Sequence, residues 1–202
     1  VSKAVDVVVV DSGGANLASL GFALDRLGAR SEVSSDPAHI ASAPRVLLPG
    51  VGAAGSIMHR LEAQGLIDTL RNLQCPVLGI CLGMQILCAY SEEDETRCLG
   101  IIPGDVKRFA DKPGAPVPHM GWNRLRITRE DPLLRGIGSS DWFYFVHSYH
   151  LQSGLAATLA ETDYSVSFPA VVRQRNFCGV QFHPERSSTA GARVLANFLE
   201  LT

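Results

Sequence analysis

The sequence predicts an α/β fold: an open, mostly parallel or mixed sheet flanked by helices. Three observations carry that expectation. Short apolar runs recur and end in small-residue turns, as in VDVVVV (5–10), RVLLPG (45–50) and VLGIC (77–81). Each is followed by a stretch whose apolar residues return at helical spacing. The runs are continuously apolar rather than alternating, which suits strands covered on both faces. Repeated strand–turn–helix units favour α/β layers over an antiparallel barrel.

In order along the chain, residues 5–10 predict the first strand, and DSGGAN the turn after it. Asn16 is the expected cap of a helix carrying Leu17, Leu20, Leu24 and Leu27, with Gly28 as its stop. After the strand 45–50, a helical stretch with Ile57, Met58 and Leu61 continues through Leu66, Ile67, Leu70 and Leu73 until Cys75 and Pro76 close it. The strand 77–81 then runs into a helix expected over 82–88. The middle is less regular, with strand and turn at 101–109 and a Pro/Gly-rich surface segment at 111–123. Short strands are expected at 125–127, 143–150, 155–160, 169–173 and 177–182, before a closing helix with Val194, Leu195, Phe198 and Leu199 on its apolar side.

At 202 residues, the chain can bury roughly 70% of its unfolded surface, enough for one sizeable core. One domain over 1–202 is expected. With 18 Lys and Arg against 20 Asp and Glu, the net charge of -2 gives no global field favouring nucleic acid. No apolar run reaches bilayer-spanning length, and no secretory leader pattern is visible, so no membrane is expected. The five cysteines form neither a dense disulfide pattern nor a C-x-x-C pair, which points to a reducing, cytoplasmic setting and gives no support to zinc.

Gly50, Gly52 and Gly55 match G-x-G-x-x-G after a strand, a pattern that can cradle a pyrophosphate. Here it follows the second predicted strand, opens with Pro49, and has no acidic residue at a clear strand end about 20 positions on. A tight structural turn or an oxyanion-binding turn fits better, since exposed backbone N–H groups serve any developing negative charge.

GICLGMQ (79–85) is the most informative stretch. A strand ends at Cys81 and a helix begins at once, with Gly79 and Gly83 at -2 and +2, as in a G-x-S-x-G nucleophile elbow. Unpaired N–H groups at a helix start favour thiolate over thiol. An isolated cysteine is more often a buried core residue; the glycines and the turn argue against that here.

GVQFHPE (179–185) supplies a partner for the cysteine. Pro184 biases His183 to an extended backbone, and residues two apart on such a backbone share a side, so His183 and Glu185 are expected to face one cleft. A carboxylate on one ring nitrogen fixes the tautomer and leaves the other to accept the thiol proton. The spacing therefore assigns Cys81 as nucleophile, His183 as general base and acid, and Glu185 as orienter. A surface His-Pro-Glu turn is the plain alternative. His147 and His150 suggest a metal pair only weakly, because three apart on a strand they would point to opposite faces.

Together with LPGVGAAG (48–55), PHMGWN (118–123) and YFVHSY (144–149), these strings resemble the class I, triad-type glutamine amidotransferases, and within them the glutaminase subunits of imidazole glycerol phosphate synthase. The resemblance covers essentially all 202 residues and implies flavodoxin-like layers. It implies a Cys81, His183, Glu185 triad, and an oxyanion hole from Gly50, Val51, Gly52 and the Leu82 N–H. It also implies a glutamine site from Gln85, His147, Ser148 and Tyr149. His119, Met120, Trp122 and Asn123 would lie toward a (β/α)8-barrel cyclase subunit in a heterodimer. No metal or organic cofactor is implied. Ammonia would pass to the cyclase for synthesis of imidazole glycerol phosphate and AICAR in histidine biosynthesis. Two departures stand out: Ala15 in the first turn, and Arg186 where relatives usually carry lysine.

Overall fold

The computed structural model describes residues 5–13 and 17–202, so the expected cap Asn16 lies outside the described residues. The first half is a run of strand–helix units: β1 (Val7–Val10), α1 (Leu17–Arg26), β2 (Ser31–Ser34), α2 (Pro37–Ala41), β3 (Val46–Gly50), α3 (Ala54–Ala63), α4 (Leu66–Arg71), β4 (Val77–Cys81) and α5 (Leu82–Gln85). After two short strands, β5 (Tyr90–Ser91) and β6 (Thr96–Arg97), come β7 (Asp105–Arg108), β8 (His119–Arg124) and β9 (Arg126–Ile127). β10 (Trp142–His147), β11 (Tyr149–Leu151), β12 (Thr158–Asp163), β13 (Ser167–Gln174), β14 (Phe177–Val180) and α6 (Ser188–Leu199) complete the chain.

The main sheet has the order β2-β1-β3-β4-β14-β13-β12-β9. Its first five strands pair in parallel and the other three are antiparallel, so the expected mixed, mostly parallel sheet is what forms. Both faces are covered. Val7 and Val9 of β1 pack into one core with Leu20 and Leu24 of α1 and Val194, Leu195 and Phe198 of α6. Val8 and Val10 pack into the other with Ile57 and Leu61 of α3 and Leu66 and Leu70 of α4. This is why VVVV carries no alternation: every position is interior, and polar residues there would lose water without a partner.

Where the structure differs from the sequence expectation, local chemistry explains it. The helix expected from residue 57 to 73 is two helices, because Gly65 sits at φ 68° and breaks the run between α3 and α4. The helix expected over 82–88 is a single turn, Leu82–Gln85. The strand expected over 143–150 is two strands in different sheets, β10 beside β8 and β11 beside β7, with the switch at Ser148. The segment 111–123 is not wholly a surface loop, since β8 starts at His119 and pairs along the whole of β10. Among the described residues, no helix is long and apolar enough to cross a membrane.

For function, the consequence is an alignment of strand ends. The register sets Gly50 of β3 beside Cys81 of β4, and Ile80 of β4 beside Val180 of β14. The carboxyl ends of β3, β4 and β14 thus bring the glycine turn, the cysteine and the HPE segment together, where open α/β sheets place their ligand crevice.

Candidate active site

Cys81 carries φ 55° and ψ -111°, a backbone conformation an L-residue adopts only when its surroundings enforce it. What enforces it is glycine packing. A Cβ on Gly83 would lie 1.8 Å from the Leu48 carbonyl oxygen, and one on Gly79 would lie 2.6 Å from the Gly83 oxygen. A Cβ on Gly50 would meet the Gly83 nitrogen at 2.6 Å. Backbone therefore rests directly on backbone around the elbow, and the first glycine of the G-x-G-x-x-G match packs against the nucleophile's turn. With α5 only one turn long, local N–H groups rather than a long helix dipole are what the elbow offers an anion.

His183 is extended, with φ -96° and ψ 99°, as its following proline requires. Its Nδ1 lies 2.9 Å from Glu185 Oε1, and Cys81 is near enough to favour a proton on the ring. The two side chains meet for a different reason from the one the sequence suggested. Residues 184–186 form a 3-10 turn, and that turn, not an extended chain, carries Glu185 back beneath the imidazole. Burial works against a charged His183. The hydrogen bonds and charges of Cys81 and Glu185 outweigh burial and raise its pKa to about 10. The arrangement thus favours an imidazolium beside the sulfur at neutral pH. The Ser187 hydroxyl donates to the His183 carbonyl at 2.7 Å and accepts from Tyr144 N–H, while His183 N–H donates to Tyr144 O, so β10 holds the turn.

A cavity of about 540 Å³ opens over the sulfur. Cys81, His183, Gly50, Val51, Gly52, Leu82, Gln85, His147, Ser148 and Tyr149 all line it, so every residue expected at the oxyanion and glutamine sites borders one space. Glu185 does not; it stands behind His183 with its side chain 2% exposed. Two charged residues that the sequence reading did not place in this space also line it, Glu93 and Arg186. Glu93 Oε2 accepts the Ala54 N–H at 2.8 Å, which ties it to the start of α3 just after the glycine turn. Within SEEDE (91–95) it reads as one more solvated acid, and nothing local marks it.

The residues expected toward a partner divide by strand alternation. Met120 and Trp122 point outward, 63% and 51% exposed, together with Arg124 and, on β10, Trp142 and Tyr144. Arg124 stacks over Trp142 at 4.3 Å, Trp122 packs edge-on to Tyr144, and Arg186 sits over Tyr144 at 5.5 Å, so this face runs up to the cavity mouth. His119 points inward instead and is buried, its ring stacked against Phe145 and Tyr164. Asn123 is half-buried and donates to the Asp163 carbonyl at 2.7 Å.

His119 Nδ1 instead meets His147 Nε2 at 3.1 Å. His147 Nδ1 lies 2.7 Å from the Tyr149 carbonyl, which can only accept, so Nδ1 carries the proton and Nε2 accepts from His119. Burial lowers the pKa of His119 to about 4 and that of His147 to about 3. Groups held neutral in this way contribute stability above their ordinary pKa of 6.5, and the contribution is lost as the pH falls toward those values. Chemical unfolding should show stability dropping across that window. The imidazole NMR signals of both residues should stay unshifted down to about pH 5; titration of either near pH 6.5 would disprove the locked pair. His150 donates separately to the Leu151 carbonyl, and no group of three or more His, Cys, Asp or Glu among the described residues could hold a metal.

Residues 8–201 match the family described as glutamine amidotransferase class-I. The chain is 51% identical over 197 residues to the imidazole glycerol phosphate synthase subunit HisH of Xanthomonas oryzae pv. oryzae, with 98% of each chain covered. It is 50% identical over 196 residues to the subunit of the same name from Xylella fastidiosa, covering 97% of this chain and 98% of that one. Among solved structures, a glutamine amidotransferase superposes with TM-score 0.75 at 23% identity, covering 96% of this chain and 97% of that one. A putative GMP synthase subunit from Thermoplasma acidophilum gives 0.74 at 18% identity, covering 98% and 94%.

Proposed function

This chain belongs to the class-I glutamine amidotransferase family, and on that premise we propose that it is the glutaminase subunit of an imidazole glycerol phosphate synthase, releasing ammonia from glutamine for histidine biosynthesis. Family membership and roughly half-identical HisH relatives over nearly the whole length support the activity. The observation that carries the mechanism is the strained Cys81 held against a histidine that a buried carboxylate orients.

With the cysteine's proton already held by His183 as imidazolium, the Cys81 thiolate attacks the δ-carboxamide carbon of glutamine. The resulting oxyanion is met by backbone N–H groups of the Gly50–Gly52 turn and of Leu82, where one well-placed donor is worth roughly 3 kcal/mol. His183 returns the proton to the departing nitrogen and ammonia leaves, with a glutamyl thioester on Cys81. Water, deprotonated by the same imidazole, then cleaves the thioester and releases glutamate. Gln85 and the 147–149 backbone wall the substrate's amino-acid end, and the Glu93 carboxylate suits its ammonium. The chemistry calls for no metal or organic cofactor.

Ammonia released into neutral water becomes ammonium and loses its nucleophilicity, so a consumer must be docked. The aromatic outer face of β8 and β10 is the surface proposed to receive it: a (β/α)8-barrel cyclase subunit, in a cytoplasmic heterodimer, that binds the ribonucleotide substrate itself. Glutamate release measured with and without that cyclase and its ribonucleotide tests the assignment. Strong stimulation by both is expected. Trp122→Ala should weaken association by about 1.4–2.8 kcal/mol, a 10- to 100-fold higher dissociation constant, as for an aromatic interface anchor. Glutamine hydrolysis of equal rate with and without the partner would instead mark an autonomous hydrolase.

A further inference from the structure

His183 is not alone at the Cys81 sulfur. Gln181, fully buried two residues before it, has Nε2 3.7 Å from Sγ. Phe182 between them turns into the aromatic core against Phe143 and Phe145. One short segment therefore delivers two polar side chains to the nucleophile, and only the second belongs to the Cys-His-Glu pattern.

The orientation of the Gln181 amide is dictated from outside. The Tyr149 carbonyl can only accept a hydrogen bond, and Gln85 Nε2 donates to it at 2.8 Å. That orients Gln85, whose second N–H is given to Gln181 Oε1 at 3.0 Å. With its oxygen so engaged, Gln181 must present its NH2 to the sulfur; the flipped amide would set donor against donor. The same Tyr149 oxygen accepts the His147 Nδ1 proton, so the order extends back to His119 on the inner side of β8. A fully buried glutamine is costly unless its polar atoms are matched, and here one of them is matched to the reacting atom.

We propose that Gln181 is a positioning residue of the catalytic centre, whose Nε2–H holds the Cys81 sulfur as a hydrogen-bond acceptor and stabilises the thiolate, with Gln85 fixing the amide that does so. A donor to the charged form favours that form, and it also leaves the remaining lone pairs of sulfur directed to the cavity. The proposal rests on Cys81 being the nucleophile. It gives Gln85 a second task besides lining the glutamine site.

The test is the rate of Cys81 carboxamidomethylation by iodoacetamide as a function of pH, read by mass spectrometry of the Cys81 peptide in the full chain without glutamine or cyclase. Gln181→Met keeps the volume and removes the donor. It should slow alkylation at neutral pH by about tenfold, the scale of one hydrogen bond to a charged group, and displace the alkylation–pH curve upward. In glutamine turnover the same variant should lower kcat and leave KM unchanged. Gln85→Met should slow alkylation comparably, and the double variant should be no slower than either single one. An alkylation–pH curve for Gln181→Met that superimposes on the wild type would reduce Gln181 to a core glutamine, and additive losses in the double variant would overturn the relay. Should Gln181→Met not fold, Gln85→Met decides, because it leaves Gln181 in place and removes the hydrogen bond that fixes its amide; a wild-type alkylation–pH curve for that variant would overturn the proposal. Absence of partner-stimulated glutaminase in the wild type would overturn the synthase assignment, yet leave this comparison readable.

Discussion

Cys81→Ala is expected to abolish glutamine-dependent synthesis, by roughly 10⁴-fold or more, while synthesis from high external ammonia with the cyclase present continues. The reason is specific to covalent catalysis. Without sulfur no thioester forms, and His183 has no nucleophile to deprotonate; ammonia supplied from outside needs neither. The substitution is mild for the fold. Alanine keeps the Cβ, and the elbow's geometry is imposed by backbone packing among Leu48, Gly79 and Gly83 rather than by the thiol. Among the described residues, the hydrogen bonds of the sulfur are long and weak, from Gln181 Nε2 at 3.7 Å and to the Val146 carbonyl at 3.9 Å. Thermal unfolding should thus shift by only a few degrees, as for a small core deletion. Glutamate release at the wild-type rate would sink the assignment of Cys81.

The parts of the site legible in the sequence were those whose chemistry is local. VLGIC followed at once by LGMQ places the cysteine at a strand–helix junction, and the structure sets that junction at Cys81 and Leu82. Pro184 fixes the backbone of His183 by sterics alone, and that too is found. What the sequence hid depends on tertiary neighbours. β2 reads SEVS, has no apolar face, and is a strand only because β1 offers an edge to pair with. α2 is five residues long; its signal was the capping pair Asp36 and Pro37, with Asp36 Oδ1 accepting the Ala38 N–H at 3.0 Å. β8 lay concealed in a Pro/Gly-rich stretch because its order comes from β10, more than fifteen residues away in the sequence. Glu93 and Gln181 carry no motif of their own. Their roles come from what the fold sets against them, the start of α3 in one case and the sulfur in the other.

The inward position of His119 bears on how a docked partner would reach the chemistry. Met120, the next residue, is exposed on the outer face, so a partner that settles on this strand touches side chains adjacent to the histidine pair. Tyr144 connects the two regions more directly. Its ring packs with Trp122 on the outer face, and its backbone holds both His183 N–H and the Ser187 hydroxyl. The strand that presents the aromatic surface is therefore the strand that holds His183. A partner that shifts β10 has a short mechanical path to His183, with no separate lever required.

Glu185→Gln should lower kcat for glutamine hydrolysis by about 10²- to 10⁴-fold with KM changed by no more than a few-fold, the behaviour of a triad that keeps its shape and loses its orienting charge. The amide is isosteric with the carboxylate, so the buried position behind His183 is filled as before. What changes is the balance on the imidazole. Burial disfavours its charged form, and in the wild type Cys81 and Glu185 together overcome that and raise the pKa to about 10. With the carboxylate neutralised, burial is opposed by Cys81 alone, so His183 loses its proton at lower pH. The alkaline limb of the kcat profile should move downward accordingly, because the step that expels ammonia needs a protonated imidazole. Stability follows the same sign. A pKa raised from 6.5 contributes stability in full below that value and loses it as the pH climbs toward 10. Glu185→Gln should lose it earlier on the way up, and equal turnover with an unmoved alkaline limb would remove the carboxylate from the mechanism.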